Sequence, residues 1–160
     1  MAKEISSFER QLCDIQGRLF ELSHKHGLAS EDFICKFMNS ETGAYFDLPY
    51  DRLQWAGEEY ILDALMLETT IDKDTEKLYP REAMYWIGYV YRYWCLQEGE
   101  TSAEVYAQAD AALMNDCYLG FHTLDVRMAI EDLKEIARQH GEILADFVLA
   151  AEAELHDDRG

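Results

Sequence analysis

The sequence is short of basic residues and contains no long apolar run. Its 160 residues include 14 Lys and Arg against 32 Asp and Glu, which gives a formal net charge of −18 at pH 7. A negative field of this size repels phosphate, so we do not expect the protein to bind nucleic acid directly. No run of about eighteen apolar residues occurs, and the N-terminus lacks the apolar stretch of a signal peptide. We therefore predict a cytoplasmic protein that does not bind membranes.

Motifs of the common cofactor and catalytic sites are also absent. The sequence has no phosphate-binding loop, no dinucleotide-binding fingerprint, no zinc-protease motif and no serine-hydrolase elbow. Four cysteines are scattered singly, without a C-x-x-C pair, and favour reduced core thiols over zinc ligands: Cys13, Cys35, Cys95 and Cys117. We predict no cofactor, no bound metal and no catalytic residue, and we rank an enzymatic function second.

The composition is that of one folded domain. Hydrophobic residues make up 49% of the chain, and ten Tyr, seven Phe and three Trp supply more core material than a disordered acidic chain carries. The low content of two prolines and nine glycines, with no low-complexity run, also argues against a disordered acidic tail. We predict a single helical domain over residues 1–160.

The apolar residues repeat with the period of an α-helix. In the first segment they recur at alternating spacings of four and three: Phe8, Leu12, Ile15, Leu19 and Leu22. Ser6 and Glu9 have the spacing of a capping box before this helix. We predict an all-α bundle of six or seven helices, with a loop over residues 39–43 and a break or bend at Gly141 before a last helix. Residues 45–48 and 118–121 are the best candidates for a short strand.

One segment is aromatic on all sides. Eight of the ten residues from Tyr85 to Trp94 are bulky and apolar or aromatic, which predicts a central helix that other helices surround. We expect Trp86 to be mostly enclosed.

A carboxylate and a histidine stand at a metal-ligand spacing in the first helix. Glu21-x-x-His24 resembles one arm of a di-iron carboxylate site, but the sequence has no second arm. A solvated helix face explains the pair better. A small helical enzyme, or a metal-binding protein that uses carboxylates and His24, remains the alternative function.

An acidic stretch offers a candidate binding surface. Between Tyr93 and Val126 there is no Lys or Arg, whereas six carboxylates occur: Glu98, Glu100, Glu104, Asp110, Asp116 and Asp125. Such a stretch is typical of a docking face for a basic protein, with exposed aromatic residues as anchors. It is equally typical of a solvated surface that keeps a protein soluble. A mimic of DNA is a third possibility, and it requires carboxylates at phosphate-like spacing along one face.

The second half of the chain resembles a known family. The segments that carry the likeness are Thr101-Ser102-Ala103-Glu104-Val105-Tyr106, Tyr118-Leu119-Gly120-Phe121-His122-Thr123 and Glu131-Asp132-Leu133. They are similar to a family of small uncharacterised bacterial proteins encoded beside proteins that resemble ADP-ribosyltransferase toxins. The resemblance covers about residues 85–133 and implies an antitoxin-like role in which His122 and Thr123 are family-typical.

The function predicted from the sequence is therefore protein interaction. We expect an acidic cytoplasmic protein that binds a more basic, toxin-like protein partner. The residues predicted to bind this partner are Glu98, Glu100, Glu104, His122 and Thr123.

Overall fold

Most helices begin at a residue whose side chain caps the helix N-terminus. The computed structural model describes residues 3–157. Ser6 and Glu9 form the predicted capping box, in which Ser6 Oγ accepts a hydrogen bond from the Glu9 backbone N–H at 3.1 Å. Thr101 caps a later helix in the same way, since its Oγ1 accepts from the Glu104 backbone N–H at 3.2 Å. Such caps satisfy N–H groups that have no partner inside the helix.

Eight α-helices occur within residues 3–157. They are α1 (Ser7–Lys25), α2 (Ser30–Met38), α3 (Glu41–Phe46), α4 (Glu58–Glu68), α5 (Arg81–Glu98), α6 (Ser102–Gln108), α7 (Ala111–Phe121) and α8 (Val126–Asp157). Two 3-10 helices span Arg52–Trp55 and Thr75–Lys77. Across the same residues, extended pairing is limited to one antiparallel bridge between Leu28 and Lys73. The predicted all-α fold is confirmed, with eight α-helices in place of six or seven.

The predicted loop over residues 39–43 is right only for residues 39 and 40, and both predicted strands are wrong. Residues 39–43 contain the start of α3, because Ser40 Oγ caps this helix by accepting from the Gly43 backbone N–H at 2.9 Å. The strand candidates fall at the end of α3 and in the last turn of α7. Short apolar segments do not distinguish a strand from a buried helix turn, and here neighbouring helices decide the outcome.

Helix α5 lies at the centre of the bundle, as its aromatic content predicts. It packs along α1 and also contacts α6, α7 and α8. Tyr91 and Trp94 are fully buried. Trp86 is only partly buried, with its ring edge-on to Tyr118 of α7 at 5.8 Å between centroids. The enclosed indole of this helix is therefore Trp94 rather than Trp86.

Two glycines allow α1 and α5 to approach closely. A Cβ on Gly88 would lie 2.7 Å from the Gln16 carbonyl oxygen and 2.8 Å from Phe20 Cγ. A Cβ on Gly17 would lie 2.8 Å from the Tyr85 ring. These distances are shorter than normal van der Waals contact, so a larger residue at either position would force the two helices apart.

A buried arginine connects four parts of the bundle. The Arg92 side chain is 0% exposed; its Nε donates to Gln16 Oε1 at 2.8 Å and its Nη2 donates to Ser102 Oγ at 2.6 Å. Nη1 donates to Asp47 Oδ1 at 2.7 Å and to the Phe46 carbonyl at 3.2 Å. Asp47 also accepts from the Ser102 backbone N–H at 3.0 Å. A buried charge has to be paired and hydrogen-bonded in this way, so Arg92 has a structural role that joins α1, α5, α6 and the end of α3.

Helix α8 runs without interruption through Gly141. Asp125 caps its N-terminus, since Asp125 Oδ1 accepts from the Arg127 backbone N–H at 2.9 Å. A Cβ on Gly141 would have no contact within 4 Å. Glycine in a helix interior costs about 1 kcal/mol relative to alanine, which does not by itself end a helix. The predicted break at Gly141 is therefore wrong, and one helix replaces two.

Candidate docking site on the last helix

The two halves of α8 have different surroundings. In the first half, Ala129, Ile130 and Leu133 are fully buried against the bundle, and Ala137 is the last partly buried residue. We call residues 139–156 the distal segment. Every residue of the distal segment is exposed, so this part of the helix extends past the bundle without a partner in the structure.

An apolar stripe runs along the distal segment. At about 100° per residue, six apolar residues fall on one side of the helix. We call them the distal stripe: Ile143, Leu144, Phe147, Val148, Ala151 and Leu155. The side chains of Leu144 and Phe147 are 52% and 73% exposed. Soluble proteins seldom leave a contiguous set of large apolar residues in water unless a partner covers it.

The distal stripe continues the face that α8 buries in its first half. Ile130 and Leu133 lie on the same side of the helix as Leu144 and Phe147, because the intervening spacings are those of a heptad-like repeat. The first half of this face packs on the bundle, whereas the second half has the same chemistry and no cover. The amphipathic pattern alone does not tell which half of this face the bundle covers and which half it leaves exposed.

The charges of α8 are divided between the same two halves. Its three basic residues are Arg127, Lys134 and Arg138, all before the distal segment. The distal segment contains four carboxylates and no Lys or Arg: Glu142, Asp146, Glu152 and Glu154. Glu142 pairs with Arg138, while the other three carboxylates have no ion pair among the described residues. Of these, Glu152 and Glu154 lie towards the borders of the distal stripe and give it uncompensated negative flanks.

The predicted acidic site is placed elsewhere, around the end of α5 and α6. Glu98 Oε1 accepts from Lys134 Nζ at 3.0 Å, and its side chain is 16% exposed. Gln108 donates to the Glu100 carboxylate. Glu104 accepts from the Thr101 hydroxyl at 3.1 Å and forms part of the cap of α6. Each of these carboxylates already has a partner within the protein, and whether they also contact a partner protein stays a prediction.

The ion pair with Lys134 has a measurable electrostatic consequence for Glu98. Burial alone would raise the pKa of this carboxyl group, but hydrogen bonds from Lys134 and Gln97 outweigh it, so the pKa of Glu98 is lowered. The charged form is thus stabilised in the folded protein, and Glu98 links the end of α5 to the first half of α8.

The other two residues predicted to bind the partner, His122 and Thr123, lie at the surface after α7. His122 stacks on Tyr118 at 4.4 Å between ring centroids, and its Nδ1 is 2.7 Å from the Tyr118 carbonyl oxygen. Thr123 is exposed in the turn that leads to α8. His122 therefore packs against its own helix end. The predicted role of both residues in partner binding stays a prediction.

The residues of the alternative metal site are already paired. Glu21 forms an ion pair with Arg81, with 3.0 Å between Oε1 and Nε, and His24 Nδ1 is 3.0 Å from the Tyr79 carbonyl oxygen. Within residues 3–157, no three His, Cys, Asp or Glu side chains converge as metal ligands would. The contacts with Arg81 and Tyr79 are a structural explanation for the presence of Glu21 and His24 on this helix.

A wide cleft on the surface is lined mainly by carboxylates, lysines and tyrosines. It measures about 780 Å³, opens widely to solvent beside α2 and the 3-10 helix Thr75–Lys77, and has no histidine in its lining. Its two cations are paired, since Lys36 Nζ lies 3.1 Å from Asp32 Oδ2 and Lys77 Nζ lies 3.9 Å from Asp74 Oδ2. Histidine is the residue that most often acts as a general acid or base, and the described lining of this cleft contains none.

The cysteines are free thiols with different exposure. Burial raises the pKa of Cys13 to about 12 and that of Cys95 to about 11. Cys35 and Cys117 are half-buried. A thiol with a raised pKa is a poor nucleophile at neutral pH, so Cys13 and Cys95 belong to the core.

No helix within residues 3–157 combines the length and the apolar character that crossing a bilayer requires. Comparison with known proteins gave no match: no family model, no curated protein and no solved structure is similar to this chain. The distal stripe with its surrounding carboxylates is therefore the candidate site that the molecule itself presents.

Proposed function

We propose that this protein is an interaction protein that docks a more basic protein partner on the distal stripe of α8. The observation that carries the proposal is the uncovered apolar face of the distal segment, which lies on the side of the helix that the bundle covers in the first half. Burial of apolar surface supplies most of the free energy of protein association.

The charge of the protein indicates the character of the partner. The formal net charge is −18, and the distal segment contributes four carboxylates without a cation. A partner with Lys and Arg around an apolar patch would be attracted to this surface and would associate faster at low salt. An acidic partner would be repelled.

In this proposal the protein works in the cytoplasm. The most specific form of the proposal is an antitoxin-like role. The resemblance of residues 85–133 to proteins encoded beside toxin-like enzymes makes a toxin-like enzyme the first partner to test. Neutralisation requires that the bound protein cover or distort the active site of that enzyme.

A comparison of two variants on the same helix tests the proposal. Leu144→Glu/Phe147→Glu places charge on the distal stripe, whereas Leu149→Glu places the same kind of charge on the opposite side of α8, where Leu149 is 63% exposed. Given their exposed fractions, Leu144 and Phe147 should together contribute about 2 kcal/mol or more to binding, which is a roughly thirtyfold change in affinity.

The tagged wild-type protein and both variants are purified from the source cells, and the captured proteins are quantified by mass spectrometry. We expect a basic protein to be captured by the wild type and by Leu149→Glu and to be lost with the double variant. The purified pair should then bind again in isolation. Retention of the same partner by the double variant would exclude the distal stripe as the docking surface.

A further inference from the structure

The side of a helix restricts what can cover it. Before the last turn of α8, the backbone N–H and C=O groups of the distal segment are used within the helix, so they offer no hydrogen bonds to a chain that lies along its side. A partner that buries its own backbone against the distal stripe must therefore satisfy its backbone groups internally. An added β-strand cannot do this here, because strand addition needs a free sheet edge, and no strand occurs within residues 3–157.

The shape of the distal stripe matches a second helix. Eighteen residues of helix extend about 27 Å, and the apolar positions Leu144, Phe147, Val148 and Ala151 follow alternating spacings of three, one and three that keep them on one side. Ala151 leaves space beside Phe147, so that large side chains of a neighbouring helix can insert between them. This is how helices pack along a heptad-like seam, and the bundle already packs against the same face further up α8.

The charge around the distal stripe selects among possible helices. Glu154 and Glu152 lie towards the two opposite borders of the stripe at about 100° per residue, and neither has an ion-pair partner among the described residues. A second copy of this chain would bring its own Glu152 and Glu154, and no Lys or Arg from its distal segment, beside them. A helix with Lys and Arg next to its apolar positions would pair with these carboxylates instead, as charged flanks do in coiled coils.

We infer that the partner segment is a basic amphipathic α-helix that lies along the distal stripe and extends the helix–helix seam beyond the bundle. The inference rests on the proposed function and adds the chemistry and secondary structure of the occupant.

Three synthetic 21-residue peptides test the inference with the full-length protein. The first carries Leu at alternating spacings of three and four and Lys elsewhere. The second has the same composition in scrambled order, and the third replaces every Lys of the first by Glu. Binding is measured by fluorescence anisotropy at physiological salt with the wild type, Leu144→Glu/Phe147→Glu and Leu149→Glu.

We expect the wild type and Leu149→Glu to bind the first peptide at least ten times more tightly than the scrambled one, and the double variant to lose this preference. The acidic peptide should not bind. If the scrambled peptide binds as tightly as the first, charge alone attracts the ligand. If the acidic peptide binds as tightly as the first, the carboxylates beside the distal stripe do not select a basic helix. Either result overturns the inference, as does unchanged binding by the double variant.

Two further outcomes separate this inference from the proposed function. Light scattering should show that the free protein does not dimerise through the distal stripe. A dimer that Leu144→Glu/Phe147→Glu disrupts would show that a second copy of this chain covers the stripe. A partner from the source cells that needs the distal stripe but cross-links through a strand or a loop would overturn the helical occupant and leave the proposed function standing.

Discussion

Truncation of two leucines on the same face of α8 should change stability by very different amounts. Leu133 is 0% exposed in the first half of the helix, whereas Leu144 is 52% exposed in the distal segment. Leu→Ala at a fully buried site costs about 2–5 kcal/mol, because apolar contacts are lost and a cavity remains. At an exposed helix position the change stays within about 0.5 kcal/mol, and alanine is the better helix former.

The free energy of unfolding follows from urea titration monitored by tryptophan fluorescence, since Trp94 is fully buried and reports on the bundle. We expect Leu133→Ala to lower it by about 3 kcal/mol, with a decrease in the melting temperature of about 6–12 °C for a domain of this size. Leu144→Ala should leave both quantities close to wild type. A loss at Leu144 as large as that at Leu133 would show that the distal stripe is covered in the free protein, and it would refute the reasoning that leaves this face open for a partner.

Three other predictions concern the parts that hold and extend the bundle. Gly88→Ala should lower the free energy of unfolding by about 1–3 kcal/mol in urea titration because its Cβ would overlap α1, whereas Gly120→Ala, with no neighbour within 4 Å, should be neutral or stabilising. Glu98→Gln should lower the free energy of unfolding by about 1 kcal/mol at pH 7. Because the pKa of Glu98 is lowered in the folded state, its stabilising contribution is full above the ordinary value of 4.5 and disappears as the pH falls through the folded pKa. The difference in stability between the variant and the wild type should therefore vanish in thermal melts at acid pH. A stability difference that persists at acid pH would show that the ion pair with Lys134 is not its cause. Gly141→Ala should stabilise the distal segment locally by up to about 1 kcal/mol and thereby slow its amide hydrogen exchange. An unchanged exchange rate would show that this glycine does not limit the local stability of the helix.

Local signals in the sequence predict the helices well. Ser6 with Glu9 and Thr101 with Glu104 form the caps that their spacing predicts, since a cap depends on residues three positions apart. The failure at Gly141 has a physical reason as well: glycine weakens a helix by about 1 kcal/mol, and strong helix formers on both sides outweigh that cost.

Contacts between distant segments are not predictable in this way. The close approach of Gly17 and Gly88 and the bonds of Arg92 to Gln16 and Ser102 depend on how α1, α5 and α6 cross, and a periodic pattern carries no information about crossing points. Arg92 would be expected at the surface from its residue type alone.

The candidate site shows the same division. The sequence predicts that Leu144 and Phe147 share an apolar helix face, but it cannot tell a face that the bundle covers from one that it leaves exposed. The signal that was available is the distribution of charge, because the last basic residue of α8 within the described chain is Arg138. The sequence predicts partner binding by Glu98 and Glu104 from composition alone, and it does not show that Glu98 pairs with Lys134 and that Glu104 takes part in the cap of α6.

Amide hydrogen exchange of the distal segment, measured in the free protein and in the purified complex with its captured partner, tests the central claim most directly. A single helix without tertiary contacts is marginally stable, so residues 139–156 should exchange within seconds in the free protein, while α5 remains protected. The account predicts that binding protects residues 139–156 by at least tenfold, and that Leu144→Glu/Phe147→Glu abolishes this protection together with the complex. A stable complex in which the distal segment exchanges as fast as in the free protein, with new protection elsewhere on the bundle, would contradict the claim that the distal stripe of α8 is the docking surface.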